Sequence, residues 1–421
     1  MATNSGRHGK KDIPKIKRIE SEEEQNSETR ATIEYIVDDD SEMEAKRAKI
    51  PPAVYKVVLI LAAVLIGLVV WSNKDNLTLS NIGTWIKTQF VGTGVGDGFP
   101  KPIMGTHVDE ANFTHRGSDV VALSDMALIS LNSSARDIFS VRHSFNNPAM
   151  KAGYGRYVVY NHTGKNYFVQ NGADTVITGE TEGEILSAAV AKNGKFALAL
   201  DIGAGSRVNV YSESGNLEYY YVFADDIFDI SINAQGNRGA VCTVRSEKGE
   251  IVSKITILDF SKTEAVYEYE VKGNMIIGVY WAENGRIYAV GDMGTLVASD
   301  SNYEFTSYGY DGRTITTMKF EDNKAFVAIS GYEHAGASTL LVFSGGSDPV
   351  IIEAEDRISL ISSFGSTVGV LVGNDIVFYD YFTAVEQTRV AAGVDVKSIA
   401  LASESAVYVL GIGEIRIVSV N

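Results

Sequence analysis

Small turns recur along the last three quarters of this chain at nearly constant spacing. They fall at Gly117, Gly155, Gly194, Gly236, Gly285, Asn323, Gly365 and Glu404, about 41 residues apart on average. Each joins an apolar run to a β-branched, aromatic or alanine-rich run. HEAT and armadillo units approach this length, but they require helical apolar periodicity. Here apolar residues come in runs of about five to seven, closed by Gly, Asn or Asp. The four-stranded blade of a β-propeller is what remains. The fold expected is all-β, an eight-bladed β-propeller, with seven blades the alternative if one repeat is irregular.

Strand order is legible within a repeat. Residues 185–191, 195–200, 207–212 and 217–223 read as four strands separated by Asn193-Gly194, a loop and Ser214-Gly215. The last repeat supplies only three strands, at 396–401, 406–410 and 414–418, before the chain ends at Asn421. Residues 99–104 (FPKPIM) precede the first inner strand by the interval needed to supply the fourth. That pairing closes the ring and removes an exposed sheet edge.

Composition narrows the function. The net charge is −16, of which about −2 lies in residues 1–53 and about −15 follows Ser72. An acidic body repels phosphate polymers, so nucleic acid is not an expected partner. The single cysteine, Cys242, excludes an intramolecular disulfide framework and a Cys-based zinc site. It sits in an apolar strand-like run and reads as a small buried thiol.

The N-terminal region has three parts. Residues 1–53 carry a basic block, then acidic ones, with few apolar residues, and read as a disordered tail. Residues 54–71 contain an uninterrupted apolar run, VVLILAAVLIGLVVW, and read as a transmembrane signal anchor. No small-x-small cleavage site follows it. Lys46, Arg47, Lys49 and Lys56 crowd its N-terminal flank, so the tail is expected in the cytoplasm and the propeller outside. Residues 72–98 comprise an amphipathic helix at 79–90, with Leu79, Ile82, Trp85, Ile86 and Phe90 on one face, and a Gly-rich link expected to act as a hinge. The propeller is assigned to 99–421.

Three features carry a family resemblance: the Trp85-containing juxtamembrane helix, Gly96-Asp97-Gly98-Phe99-Pro100 continuing through Gly105-Thr106, and the run at 139–148, FSVRHSFNNP. On these, the chain resembles, from Tyr55 to Asn421, an uncharacterised family of membrane-anchored Gram-positive bacterial proteins. The resemblance implies a single-pass anchor bearing an extracytoplasmic propeller. It transfers no activity and no functional residues.

Candidate binding residues come from the loops between one blade's outer strand and the next blade's inner strand. These contain Glu182, Glu184, Asp225, Asp226, Asp311, Arg313, Glu355, Asp356, Arg357 and Asp395. The sharpest candidates are Asp225, Asp226, Asp311, Arg313, Asp356 and Arg357, an acidic rim suited to a cation, an amine or a basic peptide. Turn chemistry also favours Asp at such positions. Histidines 107, 115, 143 and 162 match no metal-ligand spacing, and no G-x-S-x-G elbow is present. The run Gly203-Ala204-Gly205-Ser206 opens no helix, so it is not read as a phosphate loop. Gly-His and Trp-Asp repeat signatures are lacking, as is the tryptophan content of quinone-dependent propeller dehydrogenases. No metal and no cofactor are expected.

Four Asn-x-Ser/Thr sequons, at Asn76, Asn112, Asn132 and Asn161, read as incidental. The leading expectation is a non-enzymatic binding or scaffolding module for a cell-envelope component or a protein partner. The other is a cell-envelope hydrolase or lyase using rim carboxylates, which would require two of them to converge.

Overall fold

Seven of the eight recurring turns hold a residue in the left-handed region at the position the period marks: Gly117, Gly155, Gly194, Gly236, Gly285, Asn323 and Gly365 have φ between 56° and 88°. Glycine and asparagine reach that region at little cost, which is why they punctuate the repeat. In the computed structural model each turn joins the first two strands of a four-stranded antiparallel sheet, and there are eight such sheets. The structure describes residues 94–332 and 336–420, with the helical residues Ile60, Leu61 and Val64.

The innermost strands, in blade order, are Val108–Arg116, Pro148–Gly153, Glu184–Val190, Asp226–Ile232, Ile276–Trp281, Thr314–Glu321, Ile358–Phe364 and Ser398–Ser403. The two middle strands of a blade are covered on both faces by neighbouring blades, so they read as continuous apolar runs. Phe196–Asp201 and Thr367–Val372 are buried almost throughout. Outer strands face solvent on one side and alternate, as in Tyr267–Lys272. The core is a ring of apolar clusters between blades, such as the one joining Phe326, Leu340 and Val342 to Ile361, Val368 and Tyr379.

Closure follows the expected pairing. Lys101–Pro102 pairs antiparallel with the last strand, Lys101 opposite Ile415 and Pro102 opposite Glu414. The Ile103 amide donates to the Gly413 carbonyl at 3.1 Å. Phe99 sets its ring 5.3 Å from that of Tyr408, and Ile103 and Met104 pack on the same cluster.

The glycine link departs from expectation. Its described part does not swing free, because Gly96 N donates to Ser134 Oγ at 2.9 Å and Gly98 N to the Ser134 carbonyl at 3.1 Å. A Cβ on Gly96 would sit 2.3 Å from that carbonyl, so this glycine serves close approach to blade 1.

Residues Met1–Val64 and Leu65–Asn421 form two separate units. The tail, the amphipathic segment at 79–90 and nearly all of the apolar run at 54–71 lie outside the described residues. Among the described residues no helix is long and apolar enough to cross a membrane.

A second repeat is superimposed on the turns. In blades 3 to 7 the innermost strand carries a β-bulge directly after an isoleucine: Ile185, Ile227, Ile276, Ile315 and Ile358. Three of these isoleucines donate their amide to a buried serine of the preceding blade, Ile227 to Ser206, Ile276 to Ser253 and Ile358 to Ser338. A bulge bends its strand, and each serine gives the isoleucine amide beside the bulge an acceptor. Blade 1 goes further. Between the pairs Val108 with Ser124 and Phe113 with Ala122, four of its residues face one of the partner strand, and Glu110 and Ala111 of this bulge line the channel.

Candidate binding channel

The free edges of the innermost strands face the axis, and their amides need partners. Side chains of the preceding blade supply several. Asn112 Oδ1 accepts from Met150 N at 3.0 Å, Ser231 Oγ from Trp281 N at 2.9 Å, and Ser362 Oγ from Leu401 N at 3.0 Å. Asn112 is buried to 3% exposure and also donates to the Pro148 carbonyl, so its sequon is a structural link with no room for a glycan.

Two charged hubs stand on this frame. Asp229, at the bulge of blade 4, accepts from Ser187 Oγ at 2.8 Å, Lys151 Nζ at 3.3 Å and Val279 N at 3.1 Å, tying blades 2, 3, 4 and 5 together. The Asp229 charge, stronger than the opposing effect of burial, raises the pKa of Lys151, so the ammonium stays charged inside the channel.

On the other side Glu321 of blade 6 accepts from Ser363 N at 2.6 Å and Ser362 Oγ at 3.1 Å, and its Oε1 lies 3.5 Å from Nε2 of His115. The two ring nitrogens of His115 also face carbonyls, Nδ1 that of Gly117 at 3.2 Å and Nε2 that of Ser363 at 3.0 Å. A neutral imidazole donates from one nitrogen only, so this arrangement requires the imidazolium. Burial alone would lower its pKa, but the hydrogen bond and charge of Glu321, with Asp322 nearby, prevail and raise it. For Glu321, burial acts upward and is outweighed by His115 and Lys319, which leaves the carboxyl lowered. His143 contrasts: its Nδ1 accepts from Phe145 N and its Nε2 faces the Ser124 carbonyl, the pattern of a neutral ring.

The His115 contribution is complete below the ordinary histidine value of 6.5 and fades as pH rises through its raised folded value. That of Glu321 is complete above 4.5 and fades as pH falls through its lowered one. The pair therefore stabilises the ring fully between these two ordinary values. His115→Gln is expected to cost about 3 kcal/mol near pH 6 and progressively less toward pH 9, read from urea unfolding. A cost that stays constant across that range would reject the imidazolium.

Glu110, on the blade 1 bulge, points across the axis to within 3.5 Å of Thr317 Oγ1 of blade 6, and burial raises its pKa. Blade 1 thus meets blade 6 at Thr317 and blades 6 and 7 at His115, and the open part of the channel is walled by blades 1 to 6. It is a cavity of about 700 Å³, the size of a small-molecule pocket. Met150, Ala152, Met318 and Phe320 supply apolar wall; Lys151, Lys319 and Glu110 supply charge. At the mouth formed by the recurring turns stand Tyr154, Tyr280, Glu283 and Asp322.

The rim residues lie at the opposite end, and none of them lines this cavity. Asp225 is 3.5 Å from Arg245, Glu182 pairs with Arg207, and Asp395 is held by Arg416. Arg313 donates to the Tyr310 carbonyl and to Thr339 Oγ1. Asp226 and Asp311 are exposed, and Asp356 accepts from the amide of Arg357. The six sharpest candidates thus sit at three separate blade junctions. Among the described residues no group of three or more His, Cys, Asp or Glu side chains is placed to hold a metal ion. Cys242 is fully buried and its thiol pKa is pushed up by burial, the state of an inert core thiol.

A model of a family of unknown function, DUF5711, matches residues 103–344, more than half of the chain. The chain belongs to that family. The DUF5711 match runs from the closing segment into blade 6 and so takes in every wall of the cavity. No curated protein matches the chain. Among solved structures it is similar to BamB from Moraxella catarrhalis, at 8% identity and a TM-score of 0.48 over 76% of this chain and 100% of that one. It is also similar to the hydrazine synthase of Kuenenia stuttgartiensis, at 9% identity and 0.46 over 66% and 97%. A third is the Cps50 (Swd1) β-propeller domain of Myceliophteria thermophila, at 10% identity and 0.46 over 66% and 98%.

Proposed function

We propose that this DUF5711 protein is a non-enzymatic binding propeller, anchored in a Gram-positive cell membrane by residues 54–71, with its ring outside and its tail in the cytoplasm. It holds a cell-envelope component or a protein partner at its channel mouth. One observation carries the reading: a cavity of about 700 Å³, floored by paired charges and edged by tyrosines, at one end of a rigid ring. Of the charges that line it, Lys151 is tied to Asp229 and Glu321 to His115 and Ser363, bonds that hold blades together, which suits a preformed receptor better than an acid–base site. The basic flank of the apolar run supports the orientation.

A membrane-impermeant crosslinker applied to intact cells is expected to join the ring to its partner. Tyr154→Ala combined with Glu283→Arg should abolish that product. Neutralising Asp225, Asp226, Asp311 and Asp356 together to Asn should leave it intact. Loss of the product in the quadruple Asn variant alone would move the site to the acidic rim. A product obtained only with a permeant reagent would place the ring inside the cell.

A further inference from the structure

Tyr154 occupies the first position of the two-residue turn in blade 2 with φ of 55°, followed by Gly155 at 79°. Glycine, asparagine and aspartate are the residues that suit this position, and blade 6 uses Asp322 and Asn323 there. A bulky side chain in the left-handed region is strained, and strain of that kind points to a role for the side chain itself. Here the ring is 42% exposed at the channel mouth. The Lys192 ammonium of blade 3 stands 5.9 Å from its centroid and 3.4 Å from Glu283 Oε2 of blade 5. The Glu283 backbone is fixed, since its amide donates to Asn323 Oδ1 at 2.7 Å. Beside it Tyr280 and Phe320 stack with centroids 5.4 Å apart and planes 24° apart. Burial, with Glu283 acting in the same direction, raises the pKa of Tyr154, so the phenol stays neutral against the carboxylate.

From this geometry we infer that the mouth is a receptor for a lysine-like primary alkylammonium of a peptide partner, and that Lys192 is its resident competitor. The inference rests on the proposed binding role and names the ligand for that same site. An aromatic face, a carboxylate and a second aromatic pair are the elements that recognise an ammonium. The Lys192 and Glu283 side chains each keep 37% exposure, so their pair is open to exchange. Beneath them Met150, Ala152, Met318 and Phe320 offer the apolar wall that a four-carbon stem requires. A partner lysine entering the mouth takes the ammonium position as Lys192 swings to solvent.

The test uses the full-length chain in detergent micelles, with Nα-acetyl-lysine methylamide as the probe and its norleucine counterpart as the neutral control, both titrated calorimetrically. Lys192→Met should bind the lysine probe at least tenfold tighter than the native chain, because the internal competitor is gone. Adding Glu283→Gln should reverse that gain, and the norleucine compound should bind neither form. Lys192→Gln gives the same comparison if the Met variant melts early. Equal affinity of the native chain and both Lys192 variants would overturn the inference, as would tight binding of norleucine. A crosslinked partner lost with the mouth variants but indifferent to the lysine probe would reject the ammonium ligand while retaining the binding role.

Discussion

Deleting residues 99–104 is expected to lower the thermal midpoint of the ring by about 10 °C. Phe99, Ile103 and Met104 are each partly buried on the cluster that contains Tyr408 and Ile415. At roughly half the value of full burial they contribute about 3–4 kcal/mol together. The two ladder pairs with Ile415 and Glu414, and the Ile103 amide bond to Gly413, add about 1–2 kcal/mol net. A chain of this size shifts by about 2 °C per kcal/mol. The last strand, Glu414–Ser419, would then present a bare edge, so the truncated ring should also self-associate. Calorimetry with light scattering reads both effects, and an unchanged melt in a monodisperse sample would refute closure by this segment.

Asp229→Ala should cost about 3–5 kcal/mol in urea unfolding, the largest effect expected of any single substitution around the channel. The loss exceeds that of one hydrogen bond because three donors from three other blades lose their acceptor together, and Lys151 is left charged without its counter-ion. Asp229→Asn keeps a single acceptor oxygen, enough for Ser187 Oγ or for Val279 N but not for both, and should cost less than Asp229→Ala. Adding Lys151→Met to the Ala variant should recover part of the loss, since it removes the stranded ammonium. A cost below about 1 kcal/mol for Asp229→Ala, or a strictly additive double variant, would show that the hub is not coupled as described.

The ring was legible in the sequence because turn chemistry is local: a residue at φ above zero is most readily Gly or Asn, and one stands at the inner turn of seven of the eight blades. The three-stranded last repeat announced its missing partner in the same way. The channel was not legible, because its contacts join residues such as His115 and Ser363, which are 248 positions apart. No window of sequence shows that an Asp at one bulge meets a Lys two blades earlier. At the rim Asp225 is visible in the sequence for itself, but not that Arg245 stands 3.5 Å from it. Two signals were available. An isoleucine recurs near the start of five successive inner strands and marks the bulges, and a tyrosine precedes Gly155 where the turn calls for a small residue. The close packing of Gly96 on Ser134 was hidden as well, since a glycine run reads equally as freedom or as tight approach.

Closure also sets the order of events in biosynthesis. The strand that completes the eighth blade is made first and its partners last, with Lys101 facing Ile415. Blades 1 to 7 each contain all of their own strands and can form as they emerge, but the ring stays open until the strands of the eighth blade have been made. Joining ends more than 300 residues apart carries the entropy of a very long loop unless the intervening blades have already stacked and brought those ends together. The slow step of folding should therefore be the docking of one short segment onto a nearly finished body, and a chain truncated anywhere in the last blade would be left with its first strand and no place to put it.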